Sequence, residues 1–519
     1  MRILNKFRNS FLTTGILLAI LILGSYLRLY KISEYMTFLG DEGRDMLVVE
    51  HMIVDHKFTL LGPTASVGGF FMGPIYYYFM LPFLWLWRLD PSGPAVMVAL
   101  FGIATIYLVY RTGKDFFNMW VGLIAASLYA VSPLVIAYSR SSWNPNPVPF
   151  FSILLMYLLW HAALGKKIST YVWIGVVLGI GLQLHYLFSF LFVATAVWIF
   201  FFAKPTPMIK AIAATFIGFV IGYSPFLLFE VRHGFPNTQT VIRFLATGKD
   251  TGFRLVTFFG NINDTVFRIF GRLLLRFPQP EWWYRYAVWQ KWAWLTSTRL
   301  FIFFSIGTVM FLLLQPRLEI KQKRGVQLLA IWFAVTILLF GFYKRAIYDY
   351  YFGIVFTLPF ILIGLVLWLI ARQKTIGKVV VAAVMVGLLF FNWQGRPFLF
   401  PPNNQLGQTK NIAAQALAKT AGKPFNFALI TGNNSDHAYR YFFEIWGHPP
   451  VTIENQANDP KRQTVTDQLI IICEIPKTMC QPLGNSLWEV AGFGRADMGG
   501  TWEESFITIY RLVHYKGPQ

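Results

Sequence analysis

The chain has 519 residues, of which 55% are hydrophobic and only 13% are charged. Soluble domains carry about a quarter charged residues, so the composition excludes an ordinary soluble protein and predicts a polytopic membrane protein. The net charge of +21 does not indicate nucleic-acid binding, because an excess of Lys and Arg in loops on the inner side of a membrane accounts for it.

Eleven apolar runs of nearly membrane-spanning length occupy the chain up to residue 393. The first, 11–30, follows the basic residues Arg2, Lys6 and Arg8. It is too long for a signal peptide and no small-residue cleavage site follows, so we read it as a retained helix. The other ten runs are 94–110, 119–138, 147–164, 170–185, 187–203, 208–229, 295–314, 326–343, 351–370 and 379–393.

The length of a twelfth apolar run, 75–87, does not show whether it spans the membrane or lies on its outer surface. The distribution of Lys and Arg in the loops distinguishes the two. If this run lies on the outer interface, the inner loops carry sixteen Lys and Arg against two acids, Asp115 and Glu319. If it spans, most of these cations move outside, against the positive-inside rule. We therefore predict about 11 transmembrane helices, a cytoplasmic N-terminus and an extracytoplasmic C-terminus. The outer face then holds a first loop, 31–93, and a long loop, 230–294.

The tail, 394–519, has the composition of a soluble domain. Helices are predicted at 411–420 and 436–446, and strands at 425–431, 469–473 and 505–513. This alternation indicates a small extracytoplasmic α/β domain. Cys473 and Cys480 lie in this domain, where an oxidising compartment permits a disulfide; two unpaired thiols are the alternative.

Four charges stand in five residues soon after the first apolar run: Asp41, Glu42, Arg44 and Asp45. Carboxylates at a membrane surface are costly to desolvate, which favours a functional role. Asp41 could remove a proton from an incoming hydroxyl, while Glu42 orients that base or helps hold a divalent metal. The alternative is a solvated loop in which Asp41 caps a helix over 42–56.

A second cluster of charge lies in the aromatic segment 342–351, at the outer end of a helix pair. Lys344 and Arg345 would neutralise a lipid phosphate, while rings such as that of Tyr350 sit at headgroup depth. Ordinary snorkelling of the two cations is the alternative. No Gly-rich nucleotide-binding signature is present, so we expect no nucleotide.

Two further outer turns carry polar side chains. Arg140 and Asn144 lie in the turn 139–147, which is read equally well as a ligand site or as a plain Pro/Asn turn. His185 lies on the next outer turn and is a weaker candidate, since a lone His at a helix end is more often an ordinary interfacial residue.

The order of these motifs resembles that of the GT-C membrane glycosyltransferases. The similarity is greatest to the protein O-mannosyltransferase and aminoarabinose-transferase branch (family 39-like). It covers about residues 1–393, the predicted catalytic transmembrane domain, and does not cover the tail. The motifs that carry it are Asp41-Glu42, Gly73-Pro74-Ile75-Tyr76-Tyr77, Ser139-Arg140, and Lys344 followed by Tyr350-Tyr351 and Leu358-Pro359.

The resemblance implies an inverting glycosyltransferase that moves a hexose or pentose from a polyprenyl-phosphate carrier to an acceptor hydroxyl. Asp41 would be the general base, and Glu42 would orient it or help bind a metal. Lys344 and Arg345, together with Arg140, would stabilise the departing phosphate. Asn144, His185 and Tyr350 are further candidates for binding the donor.

The chain departs from this family in one loop. Many relatives carry an Asp a few residues after the Ser-Arg pair, whereas no acid lies between Arg140 and Glu230 here. Dependence on Mg²⁺ or Mn²⁺ therefore stays open, with Asp41 and Glu42 as the candidate ligands.

Other functions remain open at this stage. A transporter or flippase for lipid-linked sugars would carry paired charges in the middle of its helices, and mid-helix charges are scarce here. A non-catalytic membrane scaffold with a partner-binding tail is a further alternative. The sequence indicates a cell membrane location and contact with membrane lipids, and leaves protein, lipid and glycan acceptors open.

Overall fold

The computed structural model describes residues 2–65, 68–202, 206–248 and 251–517. It is mostly helical and contains one small sheet, which confirms the predicted fold class. The predicted run 187–203 extends to Ala203, and Lys204 belongs to the predicted inner loops; both residues lie outside the described residues.

The helices, numbered in chain order, begin with α1 Arg2–Leu29, α2 Ile32–Tyr35, α3 Gly40–Val54, α4 Ile75–Leu86, α5 Ser92–Phe116, α6 Met119–Val131 and α7 Pro133–Tyr138. They continue with α8 Val148–Leu164, α9 Ile168–Leu184, α10 Ser189–Phe202, α11 Met208–His233, α12 Pro236–Thr247, α13 Leu255–Leu275 and α14 Val288–Leu313. The last are α15 Ile320–Gly341, α16 Leu358–Ala371, α17 Lys374–Trp393, α18 Gln405–Ala418, α19 His437–Ile445 and α20 Trp488–Phe493. Short 3₁₀ turns occupy Tyr186–Phe188, Pro280–Arg285, Asp349–Val355 and Pro397–Leu399.

The apolar helices make this a multi-pass membrane protein. Within the described ranges, six helices are long and apolar enough to cross a membrane: α1, α5, α11, α14, α15 and α17. The turn Asp349–Val355 and α16 add a seventh span if this pair, bent by 57°, counts as one. All eleven predicted runs coincide with helices, but several of these are short, so the number of eleven spans stays a prediction.

The chain divides into two compact units. The first consists of Met1–Ile32, Phe58–Met80 and Ala95–Pro401, and it contains most of the apolar helices. The second consists of Ser33–Lys57, Leu81–Pro94 and Pro402–Gln519. The second unit therefore joins α3, from the predicted first loop, to the tail.

Within the first unit, small residues allow α9 and α11 to pack backbone to backbone. A Cβ added to Gly175 would lie 1.9 Å from the Thr215 carbonyl oxygen, and one added to Gly218 would lie 1.9 Å from that of Val172. Without a strong hydrophobic driving force between helices in lipid, such close van der Waals contact is a main source of helix association.

The second unit contains a four-stranded sheet in the order β1-β2-β4-β3. Its strands are β1 Asn426–Ile430, β2 Gln468–Cys473, β3 Ala496–Glu504 and β4 Ile507–His514. Strands β1 and β2 are parallel and fully buried, whereas β4 runs antiparallel to both β2 and β3. Cys473, at the end of β2, forms a disulfide with Cys480.

Candidate functional site

The charged cluster of the first loop forms the beginning of α3. This helix starts at Gly40, so Asp41 and Glu42 lie in its first turn and Asp41 does not precede the helix as its cap. Negative side chains in the first turn interact favourably with the positive end of the helix dipole. The location therefore stabilises the helix and presents carboxylates at its N-terminal end.

Asp41 is the exposed member of this cluster and is held by one guanidinium group. The Arg44 Nη1 atom lies 3.0 Å from Asp41 Oδ1, and Nη2 lies 2.8 Å from Asp45 Oδ1. The Asp41 side chain is 59% exposed, whereas that of Asp45 is fully buried. Arg44 therefore links the accessible carboxylate of Asp41 to the buried carboxylate of Asp45.

Glu42 is buried and has a different role from its neighbour. Its Oε2 accepts a hydrogen bond of 3.0 Å from the backbone N–H of Leu39. Burial, reinforced by Asp41 and Asp45, raises the pKa of Glu42 from 4.5 to about 7. Asp41 is paired to Arg44 and Glu42 is turned to the backbone, so both side chains would have to rotate to share a divalent metal.

The raised pKa of Glu42 predicts a pH-dependent stability. The folded protein keeps the proton to higher pH than the unfolded chain, so the free energy of unfolding falls as pH rises from about 4.5 through about 7. The full loss is about 3 kcal/mol. Glu42→Gln keeps an acceptor for Leu39 and removes the titration. Melting temperatures at pH 5 and pH 8 should therefore differ less in this variant than in the wild type; equal differences would contradict the assignment.

The tail contacts the beginning of α3 through a polar turn. The Gly40 N–H donates to Asn434 Oδ1 at 2.9 Å. A Cβ on Gly40 would lie 1.9 Å from Ser435 Oγ, and one on Gly43 would lie 2.4 Å from the Ala438 backbone. The glycines on either side of the Asp-Glu pair therefore permit close contact with the tail, and they are the sequence signal that could have pointed to it.

His437 is a functional candidate in this turn that the sequence interpretation missed. Its Nδ1 lies 2.9 Å from Ser435 Oγ, and its side chain is 39% exposed. Burial is the largest cause that lowers the pKa of His437, and Arg44 lowers it further. A neutral, partly exposed imidazole therefore stands near Asp41, whose charge also acts on it.

The other predicted site residues belong to the first unit, where three of them lie close together. The His185 and Tyr350 rings are 5.7 Å apart, and the Asn144 amide donates to the Leu184 carbonyl oxygen at 2.7 Å. His185 Nδ1 accepts a hydrogen bond of 3.2 Å from the backbone N–H of Leu187. Trp143 completes the group with its ring 4.5 Å from that of Tyr350.

Lys344 and Arg345 are both exposed, and Lys344 Nζ donates to the Gly248 carbonyl oxygen at 2.8 Å. The segment that follows them is fixed by two arginines of α13. Arg268 Nη2 lies 2.6 Å from Asp349 Oδ1, and Arg272 Nε lies 2.7 Å from Asp349 Oδ2. These arginines were not predicted, because their partner is about 80 residues away in the chain.

Arg140 is buried and its guanidinium is bonded to the backbone. It is 2% exposed, and its guanidinium donates to the carbonyl oxygens of Leu27 and Tyr30 at 2.8 and 2.7 Å. It also lies over the Phe398 ring. These contacts fix the end of α1, which favours a structural role over the phosphate contact that the resemblance implies.

The fold of the chain is similar to those of ArnT and of an archaeal oligosaccharyltransferase. A family model described as dolichyl-phosphate-mannose-protein mannosyltransferase matches residues 73–229. No curated protein matches the chain by sequence. The solved structures that are similar to it share 11–13% identity, so this similarity concerns the fold alone.

ArnT from Cupriavidus metallidurans, bound to undecaprenyl phosphate, matches with a TM-score of 0.60 and 11% identity, over 98% of this chain and 99% of ArnT. AglB from Archaeoglobus fulgidus, an oligosaccharyltransferase in complex with an inhibitory peptide and a dolichol-phosphate, matches with a TM-score of 0.51 and 12% identity, over 89% of this chain and 69% of AglB. The oligosaccharyltransferase of the same organism in complex with Zn and sulfate gives a TM-score of 0.50 and 13% identity, over 88% of this chain and 67% of that chain.

Proposed function

We propose that this protein is an inverting glycosyltransferase that moves a sugar from a polyprenyl-phosphate carrier to an acceptor hydroxyl. The observation that carries the proposal is the fold match to ArnT bound to undecaprenyl phosphate, which covers 98% of this chain and 99% of ArnT. This match includes both the apolar helices and the tail. Residues 1–393 would form the catalytic domain and residues 394–519 an extracytoplasmic domain.

Asp41 is the proposed general base. Its exposed carboxylate would take the proton of the acceptor hydroxyl while that oxygen attacks the anomeric carbon and the bond to the carrier phosphate breaks. The ion pair with Arg44 limits the rotation of this carboxylate. The proposed step uses side chains alone, and Asp41 and Glu42 would both have to rotate to share a divalent metal.

Lys344 and Arg345 are the proposed ligands of the departing phosphate. Negative charge grows on the phosphate oxygen as the glycosidic bond breaks, and nearby cations stabilise that transition state. The ion pairs of Asp349 with Arg268 and Arg272 hold the adjoining segment in place. Asn144, His185 and Tyr350 offer an amide, an imidazole and a phenol, which suit hydrogen bonds to a sugar.

We further propose a hexose or pentose as the transferred sugar and a cell membrane location. The N-terminus would be cytoplasmic and the tail extracytoplasmic, as the distribution of Lys and Arg indicates. The acceptor belongs to the classes of protein, lipid or glycan that carry an accessible hydroxyl. A transporter and a non-catalytic scaffold are not favoured, since the matched structures are glycosyltransferases.

The donor class is tested with the full-length protein in lipid nanodiscs. We expect that at least one of a panel of polyprenyl-phosphate hexoses and pentoses, supplied with membrane extract as the acceptor source, yields free polyprenyl phosphate and a glycosylated product. Mass spectrometry measures both. A parallel liposome assay follows movement of the donors across the bilayer. Donor transport without any transfer would overturn the proposal in favour of a flippase.

A further inference from the structure

We propose that Glu50, His51 and Glu444 form a Zn²⁺ site in the second unit, separate from the candidate catalytic residues. Glu50 and His51 are consecutive residues near the end of α3, and Glu444 lies near the end of α19. The site would join the helix that carries Asp41 to the tail. Zn²⁺ binding at this site does not depend on whether the proposed transfer reaction takes place.

The three side chains already converge. Each residue offers one potential ligand atom, and these three atoms lie within 4.8 Å of one another. Among the described residues, no other group of three or more His, Cys, Asp or Glu side chains converges in this way. His51 Nε2 lies 2.6 Å from Glu444 Oε1 and 3.8 Å from Glu50 Oε2. Ligand atoms of a tetrahedral Zn²⁺ stand about 3.3–3.5 Å apart, given bonds of about 2.0–2.2 Å, so small side-chain rotations suffice.

The buried Glu50 carboxylate is the observation that favours a cation at this cluster. Its side chain is 8% exposed, and His51 Nε2 lies 3.8 Å from Glu50 Oε2, beyond hydrogen-bond distance. Burial followed by the charge of Glu444 raises the pKa of Glu50. A buried carboxylate that faces a second carboxylate is unstable unless a proton or a metal compensates the charge. The His51 imidazole lies next to both carboxylates and adds a nitrogen ligand for a metal.

The donor set favours zinc among the divalent cations. One imidazole nitrogen and two carboxylate oxygens are common Zn²⁺ ligands, and the fourth position is filled by water. Ca²⁺ needs six to eight oxygen ligands and Mg²⁺ near-octahedral oxygen coordination, which this group does not supply. His51 and Glu444 are 40% and 30% exposed, so an ion can enter from solvent.

The position along α3 makes this ion structural. Glu50 follows Asp41 by nine residues, which corresponds to about 13 Å along the helix at about 1.5 Å per residue. An ion there is too far away to touch a substrate held at Asp41. By linking α3 to α19 it would instead limit movement of the helix that presents the base.

The test uses the full-length protein, stripped with a chelator and then titrated with Zn²⁺. We expect one Zn²⁺ per chain, measured by calorimetry and by elemental analysis, with a dissociation constant of about 1 µM or lower. The melting temperature should rise on addition of Zn²⁺. Absence of stoichiometric Zn²⁺ binding to the stripped wild-type protein would overturn the proposal without bearing on transfer activity.

Variants locate the site. Glu444→Gln and His51→Gln should each weaken Zn²⁺ binding about 100-fold or more, because even changes around the ligands cost about 10–100-fold. Glu454→Gln, at an exposed tail residue, is the matched control and should bind as the wild type does. Undiminished binding by both ligand variants, with the wild-type melting temperature in the absence of metal, would show that zinc binds elsewhere and overturn the assignment.

Discussion

Asp41→Asn is expected to lower sugar transfer about 1,000-fold while leaving the melting temperature close to that of the wild type. The amide cannot accept the acceptor's proton, and general-base catalysis contributes about 100- to 10,000-fold. The side chain is 59% exposed and lies at a helix end, so its replacement removes little packing. The measurement is release of polyprenyl phosphate under conditions of single turnover.

A matched control separates loss of the base from loss of an ion pair on the same helix. Asp55, just after α3, is 39% exposed and pairs with Lys57 at 2.8 Å, as Asp41 pairs with Arg44. Asp55→Asn should retain wild-type transfer. If Asp41→Asn also retains full activity, Asp41 is not the base, and the partly exposed His437 becomes the next residue to replace.

Asp349→Ala is expected to lower the free energy of unfolding by about 3–5 kcal/mol. The variant leaves two partly buried guanidinium groups, those of Arg268 (20% exposed) and Arg272 (11% exposed), without their shared counterion. In the wild type the Asp349 side chain is 6% exposed and contacts the two arginines at 2.6 and 2.7 Å. Thermal unfolding of the detergent-solubilised protein, followed by tryptophan fluorescence, measures the loss.

The same arginine supplies the control. Asp264 also pairs with Arg268, at 3.1 Å, but is 52% exposed. Asp264→Asn should cost less than about 1 kcal/mol, as exposed ion pairs do. Equal losses in the two variants would mean that burial does not set the strength of these pairs, and that the segment after Arg345 is held by other contacts.

The sequence predicts the apolar helices and the α/β character of the tail, because both depend on local periodicity. Strand β3 was missed. It contains Gly499 and Gly500, and its residues are mostly exposed or only partly buried. Its pairing with β4 arises from the sheet rather than from intrinsic strand preference, which glycine lacks.

The site was predicted less completely, because its decisive contacts are distant in sequence. Asp41 and Glu42 are neighbours in the chain and were expected to act together. Successive residues of an α-helix point about 100° apart, so one carboxylate is exposed beside Arg44 and the other is buried against Leu39. Likewise, the sequence around Arg140 does not show that its side chain is buried, because the carbonyl groups that it contacts belong to residues more than 100 positions earlier in the chain.

The assignment of α3 to the same compact unit as the tail has a consequence for protein engineering. Residues 33–57 and 402–517 share contacts such as that of Gly40 with Asn434. A chimaera that exchanges the tail alone would pair a foreign surface with the glycines at the start of α3. Recombination between homologues should therefore treat the two segments as one inheritable module, although more than 340 residues separate them in the chain.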